Sequence, residues 1–285
     1  MDVLTTSGWK DYELIDSGNR MRLERYGNYV IAKPDPQAIW NESLPKDAWH
    51  KADAVYQNGQ WEKASDFPSK WKIGYKNLSF YAKLTAFKHT GIFPEQTVNW
   101  RYIEDKISGS KTQPNVLNLF AYTGAASLVA AKEGAKVTHL DGSKPSIAWA
   151  KENQKLSGLT DKPIRWIEDD ALEFTFREIR RGNTYDGIIM DPPVYGHGPK
   201  GQIWDFDKNF PTLLENCTKI LTPKPLFVIV NSYAVTASAI MLKNLLEDYF
   251  KVRNIEYGEL ALSQKNGRLL STGIFARFSS NAELV

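Results

Sequence analysis

The sequence predicts an α/β fold, a mostly parallel sheet flanked by helices and preceded by a small β-rich domain. Three observations predict it. From Asn115 onward, short apolar runs alternate with longer helix-forming segments, the pattern of parallel strands joined by right-handed helical crossovers. Up to about Phe93 the texture is that of β-structure with turns. Finally, each candidate motif falls at the carboxyl end of one of the alternating strands, where open α/β sheets bind ligands. Residues 1–93 are therefore read as a β-rich N-terminal domain, a candidate for substrate recognition, and 94–285 as the larger domain.

In the first half, Arg22 to Ala32 carries a Gly-Asn turn signal among β-branched and aromatic residues, and Asn77 to Phe87 alternates with the two-residue period of a strand. The polar stretch between them, with prolines at 34, 36, 45 and 68, reads as irregular loops. Six of the nine tryptophans (Trp9, Trp40, Trp49, Trp61, Trp71, Trp100) lie in the first 100 residues. Large aromatics can pack a loop-rich domain poor in aliphatic residues; the competing reading is that some stack on exposed nucleobases.

In the second half, strands are expected at Val116–Phe120, Lys136–Leu140, Ile164–Ile167, Tyr185–Met190 and Leu226–Val230. Helices are expected at Ala125–Lys132, Pro145–Leu156, Ala171–Arg181, Phe206–Ile220 and Thr236–Phe250. Two further strands, Val252–Leu262 and Leu269–Phe278, close the chain.

Composition narrows the function classes. A chain of 285 residues with 42% hydrophobic and 24% charged residues is ordinary for a globular protein of one large or two unequal domains. No apolar run approaches the roughly 20 residues that cross a bilayer, and the N-terminus has neither a basic leader nor an apolar core. The single cysteine, Cys217, excludes an intrachain disulfide, and the four scattered histidines show no metal-ligand spacing. The expectation is a cytoplasmic protein without membrane partner or metal. The net charge of +3 does not by itself decide for or against a nucleic-acid partner.

The first motif, Asn118-Leu-Phe120-Ala-Tyr122-Thr123-Gly124, is a small-residue turn between a buried strand and a helix, where a ligand can approach the backbone closely. It holds one glycine where a dinucleotide site has G-x-G-x-x-G, so a pyrophosphate fits poorly. Asp141, ending the second strand in HLDGS, can accept two ribose hydroxyls, or can cap the next helix, a part open to Ser143 as well. Asp169 and Asp170 end the third strand. Asp170 is assigned to the adenine amino group, with Asp169 solvated or capping; both could simply favour the helix N-terminus. The fourth strand ends in Asp191-Pro192-Pro193-Val-Tyr195, a stiff turn that can present acceptors to a planar amino group on which Tyr195 stacks.

Together, NLFAYTG, HLDGS, DDALEF and DPPVY resemble the motif series of class I S-adenosylmethionine-dependent methyltransferases. From about Gly91 to Phe278 the chain is most similar to the bacterial branch containing the large-subunit ribosomal RNA base methyltransferases, whose FxxQ-type segment is matched by Phe93-Pro-Glu-Gln96. The resemblance implies a Rossmann-like seven-stranded sheet with a reversed last hairpin. It implies that 118–124 surround the methionine part of S-adenosylmethionine, with Gln96 helping, that Asp141 binds ribose and Asp170 adenine, and that Asp191 sits beside the transferred methyl. Asn118, Phe120, Tyr122, Thr123, Gly124, Ser143 and Asp169 complete the expected cofactor shell, and Asp191, Pro192, Pro193 and Tyr195 the catalytic set.

The cytosine-5 members of that branch share a cysteine at the end of the fifth strand. Here that stretch is Val230-Asn-Ser-Tyr233, and Cys217 lies in the preceding helix, so a covalent carbon-5 mechanism is not expected. The first 90 residues match only the β-rich middle segment of those relatives. The expected activity is methyl transfer to a nucleobase nitrogen in RNA, rRNA-like. A protein amide or a small molecule is the alternative acceptor; an oxidoreductase or a non-catalytic binding module are weaker ones. Asn231 is a candidate hydrogen-bond partner of the acceptor and His197, in Gly196-His-Gly198, a candidate base on a closing loop. A cationic cleft including Lys200, Lys208 and Arg268 would favour nucleic acid.

Overall fold

The computed structural model describes residues 1–233 and 237–279. The chain divides into two compact units, one of Met1–Leu4, Val98–Leu260 and the segment from Gly273, the other of Thr5–Thr97 and Ala261–Thr272. The first strand, β1 (Asp2–Thr5), joins the sheet of the larger unit.

The smaller unit contains a five-stranded sheet, β2 (Tyr12–Gly18), β3 (Met21–Tyr26), β4 (Tyr29–Pro34), β5 (Ala54–Gln57) and β6 (Gln60–Lys63), with a short helix α1 (Lys46–His50). A separate hairpin joins β7 (Trp71–Tyr75) to β8 (Leu78–Ala82). The Gly27-Asn28 turn closes the β3–β4 hairpin, with Tyr26 opposite Tyr29. The stretch expected to be irregular is not wholly so. Asn58 and Gly59, both at positive φ, make the two-residue turn that pairs β5 with β6, a hairpin signal the prolines had masked. The tryptophans here pack rather than stack on solvent: indole N–H groups of Trp40, Trp61 and Trp71 donate to the carbonyls of Ser17, Thr85 and Tyr26, and Trp49 donates to Asp16. Buried Glu24 pairs with Lys33 at 2.9 Å and Arg22 at 3.3 Å; burial alone would raise its pKa, and the two cations more than reverse that.

The larger unit opens with α2 (Thr97–Ser108), a helix not expected from the sequence. Its core then alternates β9 (Asn115–Leu119), α3 (Ala125–Lys132), β10 (Lys136–Asp141), α4 (Lys144–Leu156), β11 (Ile164–Glu168), α5 (Ala171–Arg181) and β12 (Gly187–Met190). A small hairpin, β13 (Tyr195–His197) and β14 (Ile203–Asp205), precedes α6 (Phe206–Ile220), β15 (Phe227–Ser232) and α7 (Ala239–Phe250). The last strands are β16 (Glu256–Ser263) and β17 (Leu269–Ser279). The expected start of α7 at Thr236 lies outside the described residues.

The sheet order is β1-β16-β17-β15-β12-β9-β10-β11. The strands from β15 to β11 run parallel, and β17 is antiparallel to β15. This is the expected seven-stranded arrangement with a reversed end, plus β1 as an eighth edge strand. Leu117, Leu119, Ile188, Met190, Val228 and Val230 line one face and pack with Phe174, Phe210, Leu213 and Leu242 of α5, α6 and α7. Strand alternation sends Asn118, Ile189, Ile229 and Asn231 to the other face. Chain order reverses at β9, which lies between β10 and β12, and such a switch point opens a crevice at the carboxyl ends of the strands.

Candidate active site

The turn after β9 is built from backbone that is costly to hold. Phe120 (φ 56°), Tyr122 (φ 49°) and Gly124 (φ 85°) all occupy the left-handed region, which costs a non-glycine residue about 1–2 kcal/mol. Several bonds hold it: Ala121 N–H donates to Leu140 O at 3.0 Å, Gly124 N–H to Ala121 O at 3.0 Å, and Asn153 Nδ2 to Thr123 O at 3.0 Å. A Cβ at Gly124 would lie 2.9 Å from the Cβ of Ala150, so the glycine is required by close approach as well as by φ.

Asp141 ties this turn to its own. One carboxylate oxygen accepts Tyr122 N–H at 2.8 Å and the other accepts Ser143 N–H at 2.8 Å. Burial raises its pKa and the two amides partly offset that. Each oxygen keeps lone-pair capacity for a further donor, so the geometry leaves room for the expected ribose hydroxyls. The cap of α4 is Ser143, whose Oγ accepts Ser146 N–H at 3.3 Å.

Beneath the turn runs a buried polar chain that the sequence did not reveal. Asn118 Nδ2 donates to Ser127 Oγ at 2.9 Å, and Ser127 Oγ lies 3.0 Å from His139 Nδ1. Burial pushes the His139 pKa down to about 3, so the ring is neutral. The Asn118 amide thus braces the turn from inside.

At the end of β11 the two acids divide their work differently from expectation. Asp170 is the helix cap, its Oδ1 accepting Glu173 N–H at 3.0 Å. Asp169 neither caps nor stands solvated: it pairs with Arg177 and accepts Asp170 N–H at 3.0 Å. Its backbone N–H also donates to Asp141 O at 3.2 Å, which joins the β10 and β11 ends.

The fourth strand end carries the DPPVY turn. Trp204, which sequence reasoning missed, anchors the DPPVY turn: its Nε1–H donates to Pro193 O at 2.6 Å, and its ring meets Phe120 edge-on at 4.8 Å. Phe206 N–H takes Val194 O at 3.0 Å. The carbonyls of Pro193 and Val194 are therefore used internally, whereas no hydrogen bond to the carbonyl of the buried Pro192 is found among the described residues. Among the described residues, no donor or cation meets the partly buried Asp191 carboxylate, and burial pushes its pKa up to about 6. Tyr195 follows this turn directly. It stands on the outer face of the β13–β14 hairpin, 58% exposed, edge-on to His197 at 5.4 Å, while Trp204, on the opposite face, points inward.

The loop beyond β13 passes over the HLDGS turn, since a Cβ at Gly142 would lie 3.5 Å from His197 O and 3.6 Å from Pro199 Cδ. Lys200 is exposed, and Lys208 pairs with Asp205 at 3.1 Å. Arg268 belongs to the smaller unit, where it donates to Asn41 O and Ser43 Oγ at 3.0 Å. Gln96 also lies there, in the 3₁₀ turn Pro94–Gln96. At the end of β15, Asn231 accepts a 2.7 Å bond from Asn99 of α2, another residue not singled out in the sequence.

A switch-point crevice with one glycine, a two-amide carboxylate at the second strand end and a desolvated carboxylate in a proline turn at the fourth fits a nucleoside with an amino-acid tail better than a dinucleotide. Those features define the class of S-adenosylmethionine-dependent methyltransferases. The chain belongs to that family, whose pattern matches residues 51–252. It is similar over 99% of its length to the SAM-dependent methyltransferase of Agrobacterium tumefaciens, with 40% identity, a TM-score of 0.94 and 94% of that chain covered. A fold likeness extends to a chain described as a methyltransferase and complexed with SAH, at 20% identity and a TM-score of 0.74, over 95% of this chain and 76% of that one. Among curated relatives, the ribosomal RNA large subunit methyltransferase K/L of Shewanella frigidimarina is 36% identical over 54% of this chain and 21% of its own length. That of Shewanella oneidensis is 34% identical over 65% of this chain and 25% of its own. The chain thus spans about a quarter or less of the length of these two relatives.

Proposed function

We propose that this protein methylates a planar nitrogen of an RNA nucleobase. The observation that carries the reading is Asp191, a desolvated carboxylate without a partner among the described residues, next to the carbonyl of Pro192. Such a pair accepts both hydrogens of an exocyclic amine, which orients the nitrogen and draws charge onto it. S-adenosylmethionine, when bound, supplies the methyl group as an electrophile. The 118–124 turn would hold its methionine part, with Asn118 acting through Ser127. Asp141 would receive the ribose hydroxyls, and the Asp169–Asp170 strand end the adenine. In-line displacement asks the protein mainly for positioning; the proton shed by the nitrogen passes to Asp191 or water. The 58%-exposed Tyr195 offers a stacking surface at the rim, and the smaller unit is assigned to substrate recognition.

An RNA acceptor is supported by the names of the rRNA methyltransferase relatives, and a nitrogen acceptor by the absence of a thiol in the 230–233 stretch. The experiment compares wild type with Asp191→Ala for transfer of labelled methyl groups to RNA lacking the modification, alongside S-adenosylmethionine binding. Loss of transfer with binding retained is expected; full transfer by the variant would remove Asp191 from the mechanism.

A further inference from the structure

Asn231 stands on β15 beside the fourth strand end. The β12–β15 register sets Met190 opposite Val230, so Asp191 and Asn231 are the next residues on neighbouring parallel strands, about 5 Å apart along the sheet. Asn231 is 4% exposed and Asn99 2%.

The direction of the Asn231 amide is fixed from a distance. Arg277 is a donor at every nitrogen. It donates through Nε and Nη2 to Glu256 Oε2 at 3.0 and 2.7 Å, and through Nη1 to Asn99 Oδ1 at 2.9 Å. Its guanidinium is further held over the Tyr102 ring at 4.1 Å. Asn99 must therefore turn its oxygen toward Arg277 and its amino group toward Asn231, whose Oδ1 accepts at 2.7 Å. With its oxygen turned toward Asn99, the Asn231 amide is oriented so that its amino group faces away from Asn99. The strand end thus pairs an acceptor, Asp191, with a donor, Asn231, on one face of the sheet.

We propose that Asn231 is a specificity-determining donor that reads a ring acceptor adjoining the methylated amine, with Asn99 and Arg277 as positioning residues that fix its polarity. The substrate class is then an amidine edge, an amino group on a carbon that is doubly bonded to a ring nitrogen, as in cytosine, adenine or the minor-groove side of guanine. A nitrogen whose reading-side neighbour is itself an N–H donor is rejected. This rests on the nucleobase-nitrogen reading above and narrows it.

Asn99→Asp is the discriminating substitution. The new carboxylate still accepts from Arg277, yet it cannot donate to Asn231; the Asn231 amide must turn to donate to it, and so presents its oxygen to the substrate. An isosteric change that leaves Asn231 itself in place thus reverses the atom that reads the base.

The test uses full-length protein and oligoribonucleotides containing adenosine or 1-deazaadenosine, cytidine or 3-deazacytidine, and guanosine or 3-deazaguanosine. Each deaza base replaces the ring acceptor by C–H. For whichever parent is methylated, wild type should lose about tenfold or more in kcat/KM on the deaza partner, the usual worth of a buried hydrogen bond. In Asn231→Ala and Asn99→Asp, both shown to bind S-adenosylmethionine and to melt cooperatively, that penalty should shrink to about threefold or less. A penalty unchanged in Asn99→Asp, or absent in wild type, overturns the proposal. Binding of S-adenosylmethionine with methylation of none of the parents overturns instead the nucleobase reading on which it rests.

Discussion

Replacing Asp191 by Asn should lower methyl transfer and, at the same time, make the protein more stable at neutral pH. Burial moves the carboxyl from its ordinary 3.8 to about 6. The charged form is therefore disfavoured in the folded state, and a gap of about two pH units corresponds to roughly 3 kcal/mol at most. The sign follows from linkage: a folded-state pKa above the unfolded value gives stability that is fully present below about pH 4 and lost as pH rises through about 6. Above that range the wild type carries an ionised group that its surroundings do not compensate. The amide removes the penalty without changing shape. Urea unfolding of the ligand-free proteins at about pH 4 and about pH 8 reads the difference. The Asn variant should be near wild type at the lower pH and about 2–3 kcal/mol more stable at the higher one. A variant destabilised equally at both would mean that Asp191 is satisfied by hydrogen bonds, and would refute its role as an acceptor waiting for an amine.

Other perturbations separate the parts of the site. Asp141→Ala removes two latches at once; calorimetry should show S-adenosylmethionine binding weakened by at least about a hundredfold, given roughly 1.5–3 kcal/mol for each charge-assisted bond, with no NAD binding in either protein. Gly124→Ala places a Cβ 2.9 Å from Ala150 at φ 85°. Thermal unfolding should reveal a loss of about 2–4 kcal/mol from strain and overpacking together, and little change would show that α3 and α4 shift freely. Trp204→Phe keeps the ring contact with Phe120 but loses the 2.6 Å bond to Pro193 O. It should lower kcat while leaving cofactor affinity within about threefold, the tolerance expected when a neighbouring turn loosens.

Much of this was legible in the sequence because the core strands are short, largely apolar runs separated by helix-forming segments, so β9 to β12 and their helices declare themselves. The strand-end acids were legible for the same reason: a carboxylate directly after a buried run has few places to go. What was hidden depends on partners far away in the chain. Asn99 and Asn231 are 132 residues apart, and Arg277 and Asn99 178. No local pattern marks them. Trp204 matters through one carbonyl of the proline turn, whose direction is set only when β13 pairs with β14. The division between Asp169 and Asp170 turned on Arg177, two turns into α5, which claims the first acid and leaves the second to cap. The helix α2 carries Trp100, Ile103 and Ile107 at helical spacing, but polar residues dilute the signal.

The most direct test of the central claim is nucleoside mass spectrometry of RNA incubated with the protein and isotopically labelled S-adenosylmethionine. Label is expected on an exocyclic or ring nitrogen of a base, and is expected to be absent with Asp191→Ala. Label on carbon-5 of a pyrimidine, on ribose, or only on accompanying protein would contradict that claim.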